Sequence, residues 1–73
     1  MYQFRLVEQY DPLFHCWQYG ILQEEGEGNS WDTVACIPAV SPDRQFVIDL
    51  IGQCARGQLS PVHLFDVVLD ALP

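Results

Sequence analysis

Two histidines and three cysteines are the residues of this 73-residue chain best suited to acid–base, nucleophilic or metal chemistry. His63 and Asp66 stand three apart, so on a helix they are neighbours and Asp66 could orient the imidazole. A base of that kind needs a nucleophile or a pocket beside it. Cys54 is the nearest thiol in sequence, but it falls on the apolar stripe of a helix, where a thiol stays neutral and inert. His15 and Cys16 are adjacent and point to opposite faces of a strand. Cys16, Cys36 and Cys54 are widely spaced, unlike the paired ligands of zinc sites. Glu24, Glu25 and Glu27 lack the ligand spacing of a calcium loop, and Gly26-Glu27-Gly28 has no following lysine and opens no helix. These residues predict no catalytic site, no metal site and no cofactor, and hence no enzyme.

The elements that would position them change period midway along the chain. Tyr2, Phe4 and Leu6 alternate with Gln3 and Arg5, which predicts a strand over about 2–9. Tyr10-Asp11-Pro12 predicts a turn. A second strand is expected over about 14–25, with Trp17, Tyr19 and Ile21 on one face and Phe14, Cys16 and Leu22 on the other. Gly20 marks a bulge or a close approach of another backbone. Glu24 through Asn29 reads as a solvated hairpin loop. A third strand over about 30–37 should stop at Pro38, which has no amide hydrogen to donate.

Ser41-Pro42-Asp43 has the composition of a helix start, with Ser41 as cap. Phe46, Val47, Leu50, Ile51 and Cys54 recur at helical spacing over about 42–56, and Gly57 suits the C-terminal cap. Ser60-Pro61 repeats the start signal for a helix over about 61–71. Leu64, Phe65, Val68, Leu69 and Leu72 are expected inward, with His63, Asp66 and Asp70 on the other side. The short linker makes the helices antiparallel neighbours. The predicted fold is α+β, a three-stranded antiparallel meander followed by a two-helix hairpin on one face, in a single domain over 1–73.

Composition narrows the partners. The formal charge is -7, from ten acidic residues against Arg5, Arg44 and Arg56. Nucleic acid and anionic membrane surfaces both need clustered positive charge, so neither is an expected partner. No apolar run is long enough to span a bilayer, and the first residues lack the pattern of a secretory signal. The expected compartment is the cytoplasm, with the three thiols reduced and buried. Hydrophobic residues make up 49% of the chain, which argues for a folded core. That core must be thin: surface scaling gives roughly 4,600 Å² exposed when folded.

Leu59-Ser60-Pro61-Val62-His63-Leu64-Phe65-Asp66-Val67-Val68-Leu69-Asp70 resembles the signature of a family of short uncharacterised bacterial proteins. Tyr19-Gly20-Ile21 and the stretch Ser41 to Cys54 fit the same layout, and the resemblance extends along nearly the whole chain. It implies a domain of unknown function from hosts that are mainly anaerobic Gram-positive bacteria, and it carries over no activity. Phe65 and Leu69 stand where relatives are expected to be polar.

A three-stranded sheet covered on one face leaves the other open, and large residues of the second strand would lie there. Exposed apolar patches mark interfaces. The expected function is therefore protein–protein contact or regulation, with a protein partner or self-association as a homodimer. The candidate surface comprises Trp17, Tyr19 and Trp31 as aromatic anchors, with His63, Asp66 and Asp70 on the second helix. The alternative that the charge allows is an acidic mimic of DNA.

Overall fold

Pairing of the alternating Tyr2–Leu6 segment with the stretch around Ile21 builds the sheet. A computed structural model describes residues 1–72. Its elements are β1 (Tyr2–Asp11), β2 (Cys16–Glu27), β3 (Ser30–Ser41), α1 (Arg44–Gly57) and α2 (Pro61–Ala71). The strands form an antiparallel sheet in the order β1-β2-β3. Both helices contact the sheet, which gives the expected α+β architecture.

Side chains alternate across a strand, so register assigns the faces. Phe4 pairs with Gln23, Leu6 with Ile21, and Ile21 with Ile37. This face lies under the helices. Ile21 joins Val47, Leu50, Cys54, Leu64 and Val68 in the buried core, ringed by Phe4, Leu6, Tyr19, Ala35, Ile37 and Val40. Leaving water stabilises each of the larger core side chains by about 2 kcal/mol. Gln23 is fully buried among them. Its Nε2 donates to the Leu59 carbonyl at 2.7 Å, while its Oε1 has no partner.

The opposite face differs from expectation. Register places Gln3, Arg5 and Val7 of β1 there, with Gln18, Leu22 and Glu24 of β2 and Thr33 and Cys36 of β3. Glu24 Oε1 accepts from Gln3 Nε2 at 2.8 Å and lies 3.5 Å from Arg5 Nη1. The open face thus mixes polar side chains with Val7, Leu22, Cys36 and Trp31, and Phe4 and Tyr19 lie on the covered side.

Pro38 does not end β3. Tyr19 pairs with Ser41, whereas Ile21 pairs with Ile37, so β3 carries extra residues opposite Gly20. The bulge absorbs the donor that proline lacks. A Cβ at position 20 would run into the Ile37 carbonyl oxygen and come within 2.5 Å of the Pro38 carbonyl. Glu24–Glu27 belong to β2 rather than to a loop, and the turn narrows to Gly28 and Asn29, with Gly28 at φ 61. The β2 strand starts at Cys16, not at Phe14. Asp11 Oδ1 accepts from the amides of Leu13 (2.9 Å) and Phe14 (3.4 Å), which holds both residues in the turn.

The first helix starts two residues later than expected. Asp43 is its cap, because its Oδ1 accepts from the Phe46 amide at 3.2 Å, while Ser41 Oγ accepts from the Asp43 amide. Its C-cap is Gln58 in the left-handed region, not Gly57. Gln58 tolerates φ 46 because its side chain is fully used. Its Oε1 accepts from the Tyr2 amide at 2.8 Å, and its Nε2 donates to the carbonyls of Tyr2 and Ala55. Each helix spends more of its contact on the sheet than on the other helix.

Candidate interaction surfaces

The α2 helix carries more apolar surface than the sheet can cover. Outer strands of a three-stranded sheet lie only about 10 Å apart. A helix with its side chains is itself about 10 Å wide. The α1 helix takes the ground over β1 and β2, and α2 is left to pack mainly on β3. Leu64 and Val68 turn inward and are buried. Val62 (80% exposed), Phe65 (55%), Leu69 (66%) and Leu72 (36%) are not covered. The inward expectation for Phe65, Leu69 and Leu72 is therefore corrected. Val62, Phe65 and Leu69 follow a 3–4 spacing, which keeps them in one stripe along the helix, and Leu72, its C-cap, ends it. That spacing is visible in the sequence. It is masked there because Leu64, Val68 and Ala71 form a second apolar arc beside it.

His63, Asp66 and Asp70 are exposed on α2 as expected. They border the stripe on the side away from the core. Of the three aromatic candidates, Trp17 and Tyr19 share one face of β2 two residues apart, whereas Trp31 lies at the far end of the sheet. Trp17 pairs with Tyr10 at one end of the sheet, and Trp31 pairs with Gly26 at the other. Tyr19 is half-buried and packs on the core. Trp31 Nε1 donates to the Gly28 carbonyl at 2.7 Å, which fixes it to its own turn.

A second exposed apolar group sits at the β1–β2 turn. Leu13 is 78% and Phe14 70% exposed, next to Trp17 and Tyr10. The rings of Tyr10 and Trp17 meet edge to face, with centroids 5.6 Å apart. His15 adopts φ 52 and closes the turn. Sequence reading assigns Phe14 to a strand and so misses this group. The signal that finds it is Asp11 preceding Pro12, which favours an Asx-type turn.

An open depression of about 400 Å³ lies beside the β2–β3 turn, lined by Glu25, Gly26, Glu27, Ser30, Asp32 and Val34. It contains no histidine and no cysteine. Among the described residues, no three His, Cys, Asp or Glu side chains converge to hold a metal ion. The thiols differ from the uniformly buried set expected: Cys54 is buried, Cys16 half-buried and Cys36 exposed. Burial pushes the Cys54 thiol above its ordinary pKa, because the thiolate would lose its water. No helix of the described residues is long and apolar enough to cross a membrane.

Four of the ten carboxylates have separate tasks. Glu24 faces Arg5, and Glu8 Oε1 lies 3.4 Å from Arg44 Nε. Asp11 and Asp43 bind backbone amides.

Comparison with known families agrees with the extent of the resemblance. A family described as a family of unknown function (DUF6514) matches residues 1–73. The chain belongs to the DUF6514 family. No curated protein and no solved structure matches the chain. For this DUF6514 protein, then, function must be argued from its own surface.

Proposed function

We propose that this DUF6514 protein is a protein–protein contact module whose contact surface is the outer face of α2. The observation that carries the reading is the uncovered stripe Val62, Phe65, Leu69 and Leu72. Covering a leucine or phenylalanine contributes about 1.5–3 kcal/mol, which gives the stripe a reason to be occupied. Part of that gain offsets the freedom lost on association. The stripe replaces the aromatic sheet face as the anchor, because register puts Trp17 and Tyr19 on the covered face and Trp31 on the open one, at opposite ends of the sheet. The cytoplasm suits the module, since its three thiols are free.

The test compares the wild-type chain with Phe65→Ser/Leu69→Ser as bait in a lysate of the native host. Both positions are exposed, so the double variant should keep its circular dichroism and unfolding midpoint. A partner retained by the wild type and lost by the variant supports the reading. A partner retained equally by both overturns it.

A further inference from the structure

The outer face of α2 has two unlike borders. On one side the stripe runs into the core through Pro61, Leu64 and Val68. On the other side stand His63, Asp66 and Asp70, all exposed. No lysine or arginine lies on the helix, and the whole chain carries -7. From Val62 to Leu72 the stripe is about 15 Å long at 1.5 Å per residue. The 3–4 spacing of Val62, Phe65 and Leu69, ended by the C-cap Leu72, is the seam that a second helix fills with interlocking side chains.

We propose that the occupant of this face is an amphipathic helix of another protein, with lysine or arginine flanking its apolar seam. The inference rests on the contact-module reading and names its partner by chemistry. Three features select that occupant. The periodicity of the stripe fits a helix rather than an extended strand, whose side chains repeat every second residue. The acidic border faces outward, where flanking cations of the incoming helix would meet Asp66 and Asp70. A second copy of this chain fits less well. Paired antiparallel it would bring the acidic border against its own image, and in either orientation it would join two chains of charge -7.

The experiment uses the full chain, isotopically labelled, and two synthetic peptides of about 18 residues, long enough to hold a helix once docked. Both carry the same leucine seam, flanked in one by lysine and in the other by glutamate. Backbone amide shifts locate the binding site, and titration gives the affinity. The lysine peptide is expected to move the amides of α2 and the glutamate peptide to bind at least about tenfold more weakly. Asp66→Asn/Asp70→Asn should weaken the lysine peptide by about tenfold, and Leu69→Ser by about as much. Equal binding of the two peptides, shifts centred on Glu25, Glu27 and Asp32, or no binding would each overturn the proposal. Self-association in sedimentation that Leu69→Ser abolishes would overturn it too, because a second copy would then be the occupant. If the peptide fails while lysate capture still depends on Phe65 and Leu69, only the basic helix is rejected. If both fail, the contact-module reading goes as well.

Discussion

Gly20 and Gln23 lie three apart on β2 and depend on distant residues in opposite ways. Gly20 must lack a side chain because the bulged backbone at Ile37 and Pro38 occupies that space. We expect Gly20→Ala to destabilise the fold by about 3 kcal/mol, read from the urea midpoint, because backbone cannot yield as a side chain can. Gln23 holds the Leu59 carbonyl but leaves its own Oε1 orphaned in the core. Gln23→Glu would set a buried carboxylate against that carbonyl. A loss of about 3 kcal/mol or more is expected near neutral pH, recovered as acid neutralises the new group. Unfolding curves at two pH values decide it. Cys54 gives a simpler expectation. Its folded pKa is raised, so its contribution is present below the unfolded value and lost as pH rises through the folded one. At mild pH a thiol reagent should modify Cys36 first and reach Cys54 only on unfolding. The close approach at Gly20 was legible in the sequence, whereas its bulge partner, 17 and 18 residues further on, was not. Gln23 gave no local sign, since its burial depends on the carbonyl of Leu59 after α1.

At the scale of elements, the two helix starts look alike in sequence and differ in mechanism. Asp43 accepts from the Phe46 amide, whereas Ser60 makes no side-chain capping bond. Asp43→Ala is expected to lower stability by about 1 kcal/mol. Ser60→Ala should stay within about 0.5 kcal/mol, since Pro61 already presets the first turn. Thermal unfolding of the two variants side by side separates the cases. Helices and strands were legible because period and cap composition are local. Their ends were not, because long-range partners decide them. The Pro38 ladder continues through the bulge, and α1 ends at Gln58 because Tyr2 offers its amide and carbonyl to that side chain. A glycine at position 57 is the better local signal, yet the tertiary bonds at Gln58 outweigh it.

For the whole molecule, the main question is which apolar side chains the sheet covers and which it leaves exposed. The total accessible surface is 4831 Å², close to the value expected for this mass, so the exposed apolar residues reflect where the surface is placed rather than an open structure. Composition signalled an excess of apolar side chains, but not which face leaves them uncovered. That depends on how far α2 overhangs β3, a matter of sheet width that no single residue encodes. Phe65→Ser/Leu69→Ser should therefore leave folding intact and remove the contact. The strand pairing has a further consequence, for polymerisation. Each outer strand has a flank with no strand neighbour, and such a flank is a template for fibril growth. In β3 that flank is interrupted by two register shifts and by Pro38. In β1 the side-chain amide of Gln58 occupies both backbone groups of Tyr2, standing in for one residue of a fourth strand. Both margins of the sheet thus carry a local obstacle to the addition of a further strand, at Tyr2 in β1 and around Pro38 in β3.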